Sequence, residues 1–244
     1  MDTGMLFNIA LCVCVALLIA VIFCLLEMIK NDMKERKTAG MIARLLPDDK
    51  AGLFSDVTVL MPRGRTTQID HVLVTTHGLY VIEEKNYVGT LIGDINEKKW
   101  LKFRHKNRLQ LNNPFRQNEA HIHGIRHIMD DPELVCVNVV LINGPCKFKG
   151  DKPEWLCMGM REMADNIKRR QDMSIIHPEK VTFIRNQISN RRLTPGLMTD
   201  LAHINSLNKR FNQSMKLTYL VTFMFVKIYG RILNYLGVNK TKYR

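Results

Sequence analysis

Two acids and a lysine lie within a short segment whose pattern predicts a β-hairpin. Residues 66–86 read TTQIDHVLVTTHGLYVIEEKN, two apolar strands joined by a central turn. Side chains alternate along a strand, so Glu83 and Lys85 share one face while Glu84 points to the other. A hairpin brings Asp70 on the first strand alongside that pair. Two carboxylates and an ammonium beside a turn fit a Mg²⁺ site with a lysine that acts on water.

A structural salt bridge with Lys85 is the alternative interpretation of the same residues. Acids are depleted from strand interiors, so Asp70 and Glu83 both need a reason to be there. An ion pair within the sheet would supply one reason, and a metal site would supply another. Strand alternation alone does not separate the two.

The residues on either side predict the elements that position this hairpin. Strands are expected at residues 57–61, 68–75 and 79–85, with residues 87–92 extending or pairing with them. Residues 135–142 are nearly all Val, Leu or Ile, the pattern of a fully buried strand. Helical spacing predicts helices at 38–46, 114–129, 161–170 and 178–189, and another from Thr194-Pro195 to about residue 210.

The chain is strongly basic. Lys and Arg outnumber Asp and Glu by 36 to 23, which gives a formal charge of +13. This excess suits a polyanion or an anionic lipid surface, and charge alone does not distinguish them. Residues 97–108 concentrate basic side chains around Trp100 and Phe103. These aromatics could stack on bases, although packing explains Trp100 equally well.

Residues 5–26 carry no charged side chain and predict a membrane anchor. A helix of that length spans the hydrocarbon core of about 30 Å. No basic residue precedes the segment and no small-x-small cleavage site follows it, which favours a retained anchor over a signal peptide. Basic residues follow the segment, so the N-terminus is expected outside and the rest in the cytoplasm. Residues 217–237 form a shorter apolar and basic stretch, either a helix on the membrane surface or a docked terminal helix.

Cysteine and histidine spacing does not predict a zinc site. Cys136, Cys146 and Cys157 are scattered without a Cys-x-x-Cys pair, so we expect reduced, mostly buried thiols. His123 and His127 are four residues apart on the predicted helix, but no acid completes a His-Glu-x-x-His pattern. Together with His121 they are expected to be solvated surface histidines. His71 is expected to be a hydrogen-bonded structural residue.

Several motifs together resemble the nuclease-related (NERD) domain. They are the run from Gln68 to Val74, the run from Gly78 to Gly89, Trp100, and the later NPFRQN segment with His121. These pieces occur in the order and approximate spacing of that family, over roughly residues 38–142. NERD domains are grouped with the PD-(D/E)XK phosphodiesterases. The resemblance therefore implies an α/β fold, a restriction-endonuclease-like mixed sheet flanked by helices, with the active carboxylates at one sheet edge.

The resemblance also implies roles for individual residues. Asp70 matches the metal-binding aspartate, Glu83 and Lys85 match the acid and lysine of the acid-x-lysine motif, and Gln117 matches a polar residue on the following helix. Mg²⁺ or Mn²⁺ would bind Asp70, Glu83 and the backbone carbonyl of Glu84, for hydrolysis of a phosphodiester in DNA or RNA. Contacts to the nucleic-acid backbone, without sequence readout, are expected from Lys98, Lys99, Lys102, Arg104, Lys106 and Arg108.

Two departures from the family pattern keep other functions open. Many members carry Gly-Glu on the first helix, where this chain has Thr38-Ala39 or Gly40-Met41. Glu84 occupies a position where a neutral residue is commoner, and a buried carboxylate there needs a partner. A module that binds nucleic acid or a protein without catalysis is therefore one alternative, and a structural protein of a lipid surface is another.

Five segments are expected along the chain. Residues 1–30 form the anchor and 31–37 a juxtamembrane linker. Residues 38–150 form the nuclease-like domain, 151–215 a helical extension, and 216–244 a basic amphipathic or membrane-associated tail.

Overall fold

The computed structural model describes residues 37–194 continuously, together with residues 15, 18, 22, 199, 202, 203 and 206. The predicted anchor and the predicted basic tail lie outside the described residues, apart from those isolated positions. Among the residues described, no helix is long and apolar enough to cross a bilayer.

The main sheet has five strands in the order β1-β2-β3-β7-β9. The first three are antiparallel neighbours, whereas β7 and β9 join parallel to β3 and to each other. The strands of this sheet are β1 (Leu53–Met61), β2 (Arg65–Thr75), β3 (Gly78–Lys85), β7 (Val137–Ile142) and β9 (Leu156–Cys157).

A second, four-stranded sheet has the order β6-β5-β4-β8. It consists of β4 (Gly89–Ile92), β5 (Lys99–Arg104), β6 (Asn107–Asn112) and β8 (Cys146–Lys149). β5 and β6 form an antiparallel hairpin, and β8 pairs parallel to β4. Trp100 of β5 is fully buried, and its indole N–H donates to the carbonyl of Asp94.

Helices cover both faces of the main sheet. They are α1 (of which residues 37–45 are described), α2 (Pro114–Met129), α3 (Met160–Lys168) and α4 (Pro178–Arg191). On one face, α2 and α4 bury a cluster that includes Val72, Val81 and Ile125. On the other face, α1 and α3 bury a cluster that includes Tyr80, Ile82 and Leu141. Since β3 and β7 are covered on both faces, their sequences are apolar at successive positions.

Two residues bring α2 close to the sheet. A Cβ on Gly124 would lie 2.6 Å from Thr67 Cγ2 and 3.1 Å from Val59 Cγ2, so only a glycine permits this approach. Asn118 is fully buried and donates to the carbonyls of Val81 (2.8 Å) and Val139 (3.2 Å). The buried face of α2 is thus fixed directly above β2 and β3.

The predicted elements are largely present, but the architecture contains a second sheet. The resemblance implied one mixed sheet flanked by helices, whereas the structure has two mixed sheets. Residues 87–92 do not extend the hairpin strands, because residues 89–92 form β4 of the second sheet. The helix predicted at 114–129 has those bounds, and the strands at 68–75 and 79–85 begin one to three residues earlier. The predicted helix after Thr194-Pro195 lies largely outside the described residues.

Substituting Gly124 by alanine should destabilise the protein. The added methyl group overlaps the side chain of Thr67, and overpacking of this kind costs about 1–3 kcal/mol. The better helix propensity of alanine offsets about 1 kcal/mol of that cost. Urea unfolding should therefore show a net loss of up to about 2 kcal/mol.

Gly40→Ala is the matched control. Gly40 is helical and exposed, and a methyl group added at its Cα would meet no atom within 4 Å. This variant should be neutral or up to about 1 kcal/mol more stable. Equal effects of the two substitutions would contradict the close packing of α2 on β2.

Candidate metal and phosphodiester site

The candidate site lies where β2 and β3 separate. Their hydrogen-bonded pairing runs as far as His71 opposite Ile82, so the next residues, Asp70 and Glu83, face each other at the end of the ladder. Glu83 also pairs with Val140 of β7, which places it in the centre of the main sheet. The hairpin prediction thus holds for Asp70, Glu83 and Lys85: the structure brings all three together.

Asp70 occupies an electrostatically unfavourable position. Its Oδ2 accepts a hydrogen bond from the backbone N–H of Glu84 at 2.7 Å. No other hydrogen bond to this side chain is present among the described residues. Burial, followed by the charge of Glu83, raises the pKa of Asp70 to about 6, against an ordinary value of 3.8. Burial of a carboxyl group next to a second carboxylate, with too little compensating positive charge, raises the pKa in this way.

Glu83 lies between Lys85 and His121 and is nearly inaccessible to solvent. Its side chain is 2% exposed, and its Oε1 lies 2.5 Å from Lys85 Nζ. Burial acts to raise the pKa of Glu83, but His121 and Lys85 outweigh it and the pKa is lowered. Burial likewise acts to lower the pKa of Lys85, and Glu83 outweighs it so that the pKa is raised. Glu83 is therefore a carboxylate and Lys85 an ammonium at neutral pH, which makes Lys85 unsuited to act as a general base.

His121 completes this cluster, and the sequence-based prediction for it was wrong. Instead of lying at the solvated surface, His121 is buried, with Nε2 3.1 Å from Glu83 Oε2 and Nδ1 2.6 Å from the hydroxyl of Thr67. The Nε2–Oε2 approach is too bent for a hydrogen bond, and neither atom has any other hydrogen-bond partner among the described residues. His123 and His127 are exposed as predicted.

Helix periodicity contained the signal for His121. Asn118, Ile122 and Ile125 line the buried face of α2, and His121 lies on the same face three residues after Asn118. Because the buried face of α2 packs on the strands that carry Asp70 and Glu83, a histidine on that face is a candidate member of the site.

Gln117 is placed differently from the expectation. It lies one turn before His121, but its side chain is exposed and makes no hydrogen bond within the described part of the chain. The structure therefore does not bring Gln117 into contact with Asp70, Glu83 or Lys85. Its expected role stays a prediction.

Glu84 has a complete set of partners on the opposite face of β3. Its Oε1 accepts from Thr38 (3.0 Å) and from the side chain of Asn143 (2.8 Å), and its Oε2 lies 3.4 Å from His71 Nε2. Burial acts to raise the pKa of Glu84, and these contacts lower it. His71 is also within 2.8 Å of Ser55 Oγ, which confirms it as a hydrogen-bonded residue of the interior. Thr38, in the part of the first helix where the resemblance led us to expect Gly-Glu, is thus a partner of Glu84.

The basic residues predicted to contact nucleic acid lie on or beside the β5–β6 hairpin. Most are exposed, whereas Lys102 is half-buried and its Nζ lies 5.3 Å from the centre of the Tyr87 ring. Burial raises the pKa of Tyr87, with Lys85 acting in the opposite direction. Tyr87 therefore lies between the candidate site and the hairpin. Trp100 is buried and packs on Phe115 and Phe148, which supports its packing role.

The donor set at the site fits a hard divalent cation, in part. Carboxylates such as Asp70 and Glu83 suit Mg²⁺, which typically takes one or two protein carboxylates and keeps several waters. The raised pKa of Asp70 and the unpartnered Glu83 Oε2 indicate negative charge that the described part of the protein does not neutralise. However, no group of three or more His, Cys, Asp or Glu side chains with metal-binding geometry is present in the described ranges.

Comparison with known proteins agrees with the motif resemblance. Residues 30–143 match the family model described as nuclease-related domain, the family that the sequence motifs resemble. An uncharacterized protein of Bacillus anthracis is 34% identical over 122 residues, which cover 49% of this chain. The alignment spans 56% of that relative's length. No solved structure matches the chain.

Removing the charge of Asp70 should stabilise the metal-free protein. Below about pH 4 the carboxyl is protonated in both folded and unfolded chains, so it has no effect on stability. Between about pH 4 and 6 the unfolded chain releases its proton first, so stability falls as pH rises and stays reduced above that range. Asp70→Asn should thus gain about 1–3 kcal/mol at about pH 7.5 and nothing below about pH 4.

Urea unfolding with a chelator present measures this difference. The exposed Asp151 offers the control, because Asp151→Asn should leave stability unchanged at both pH values. An Asp70→Asn variant that is less stable than wild type at neutral pH would contradict the proposed crowding of Asp70 and Glu83.

Proposed function

We propose that this protein is a metal-dependent phosphodiesterase that hydrolyses nucleic acid beside a membrane. The observation that carries the proposal is the convergence of Asp70, Glu83 and Lys85 at the end of the β2–β3 ladder in a NERD domain. A Mg²⁺ or Mn²⁺ ion held there would polarise the scissile phosphate and promote ionisation of a water.

The residues of the site have separate tasks in this proposal. Asp70 and Glu83, with the backbone carbonyl of Glu84, would hold the ion. Lys85 remains an ammonium because Glu83 raises its pKa, so it would stabilise negative charge that develops on the phosphate. Gln117, exposed at the first turn of α2, is available to the substrate rather than to the carboxylates.

The basic hairpin supports a polyanionic substrate. Arg104, Lys106 and Arg108 are exposed around its turn, and Lys102 contacts Tyr87 beside the site. Exposed cations contact phosphates without reading bases, which favours binding without sequence preference. Membrane attachment rests on the uncharged segment at residues 5–26 and the basic residues after it, which also favour a cytoplasmic domain.

A non-catalytic binding module is the second candidate, and one observation favours it. Lys85 approaches one oxygen of Glu83 and His121 approaches the other, so the protein's own side chains could satisfy this carboxylate. Such a module would bind nucleic acid in a salt-sensitive manner and would need neither metal nor Lys85.

Cleavage assays on the full-length chain in detergent micelles separate the two candidates. Single- and double-stranded DNA and RNA would be incubated with Mg²⁺ or Mn²⁺ and with a chelator. Wild type should cleave only with metal, and Glu83→Gln and Lys85→Met should each lower the rate about 10²–10³-fold. Both variants should retain nucleic-acid binding.

Glu179→Gln provides the matched control, because the Glu179 side chain is 92% exposed on α4. This variant should cleave at the wild-type rate. Binding without cleavage under every metal condition, or cleavage that survives both site substitutions, would favour the non-catalytic module or a contaminating nuclease.

Neutralising the hairpin should weaken binding uniformly across sequences. Arg104→Gln with Arg108→Gln removes two exposed cations that lie near the hairpin turn. Fluorescence anisotropy at several salt concentrations should show the slope of log K against log[salt] reduced by about 1 for each lost phosphate contact.

Lys50→Gln with Lys168→Gln removes the same charge elsewhere on the surface and should leave the slope unchanged. Equal effects of the two double variants would place the nucleic-acid surface away from the hairpin.

A further inference from the structure

The contact between His121 and Glu83 is left incomplete by the described part of the protein. Both side chains are at least nine-tenths buried, and their facing atoms, Nε2 and Oε2, are 3.1 Å apart without a hydrogen bond. Buried polar atoms without partners are costly, and a native interior contains few of them. Something other than protein is expected to satisfy this pair.

Neither neutral form of the imidazole resolves the problem. Nδ1 is occupied by the Thr67 hydroxyl at 2.6 Å. If Nδ1 carries the proton, the Nε2 lone pair is buried beside the lone pairs of a carboxylate. If Nε2 carries it, a buried N–H is directed away from its nearest acceptor. A cation that accepts electron pairs from both atoms satisfies them together.

The spacing agrees with two adjacent ligands of one ion. Donors at about 2.1 Å from an octahedral metal and at right angles to each other are about 3.0 Å apart. Adjacent ligands also point at the ion rather than at each other, which accounts for the bent approach of Nε2 and Oε2. The Thr67 hydroxyl on Nδ1 is the kind of second contact that orients a metal-binding histidine.

From this geometry we infer that His121 is a direct metal ligand, paired with Glu83, and that the site prefers Mn²⁺ to Mg²⁺. The inference rests on the proposed metal-dependent function and specifies its ion. Imidazole nitrogen is a poor ligand for Mg²⁺ and a good one for divalent transition metals. Asp70, the backbone carbonyl of Glu84 and waters would complete the coordination of the ion.

Three features of the fold place His121 for this role. Asn118 fixes the first turns of α2 to β3 and β7, and Gly124 allows the next turn to approach β2. The hydroxyl of Thr67 on β2 then contacts Nδ1 and fixes the orientation of the imidazole ring. His123, two residues away on the same helix, is 62% exposed and faces away from the cluster.

Electron paramagnetic resonance of Mn²⁺ bound to the full-length chain tests the inference. Free Mn²⁺ would be titrated to obtain Kd, with Mg²⁺ as competitor, and electron spin echo modulation would detect nitrogen bound to the ion. Wild type should bind Mn²⁺ more tightly than Mg²⁺ and should show nitrogen coupling. In protein labelled with ¹⁵N only in histidine, coupling to ¹⁵N should replace the coupling to ¹⁴N.

His121→Gln keeps a polar side chain but removes the imidazole nitrogen. It should lose the nitrogen coupling and about tenfold or more in Mn²⁺ affinity, with a smaller change for Mg²⁺. His123→Gln is the matched control and should keep both properties. The ¹⁵N measurement on wild type needs no substitution, so the test holds even if His121→Gln fails to fold.

The inference is overturned if bound Mn²⁺ lacks nitrogen coupling, if the coupling survives His121→Gln, or if no Mn²⁺ binds. The first two outcomes are distinct from failure of the proposed function. Cleavage that depends on Glu83 without nitrogen coupling would refute only the histidine ligand. Nitrogen-coupled Mn²⁺ without cleavage of any nucleic acid would refute only the phosphodiesterase.

Discussion

The site depends on the crowding of two carboxylates at the end of one β-ladder. Asp70 and Glu83 face each other where β2 leaves β3, and burial denies both the water that would screen their charge. Lys85 neutralises one oxygen of Glu83 but leaves Asp70 with a raised pKa. The fold thus maintains a concentration of negative charge that a divalent cation would relieve, a common arrangement at functional sites.

The rest of the domain positions this charge and separates it from a second buried acid. Helices cover both faces of β3, and side chains alternate between those faces. Glu83 and Glu84 therefore lie in different environments, although they are adjacent in sequence. Thr38, Asn143 and His71 contact both carboxylate oxygens of Glu84, so Glu84 is a structural acid that needs no further partner. Glu83 faces α2, where the close approach allowed by Gly124 brings a histidine rather than an inert side chain.

Strand alternation was sufficient to predict the convergence of Asp70, Glu83 and Lys85, because register in a hairpin follows from the turn and the pattern. The separation of Glu84 onto the other face followed from the same rule. The position of His121 beside Glu83 did not follow from it, because helix periodicity places His121 on the buried face of α2 but does not say which strands that face crosses. The second sheet was also missed, since β4 and β8 are four-residue strands that pair across more than 50 positions of sequence. Local patterns do not encode pairing at that distance.

A crystal structure of the full chain soaked with Mn²⁺, recorded for anomalous scattering, tests the central claim most directly. We expect one anomalous peak within bonding distance of Glu83, between β2, β3 and α2. A site without a peak, with Glu83 satisfied by Lys85 and His121 alone, would contradict the claim and leave a basic domain that binds nucleic acid without catalysis.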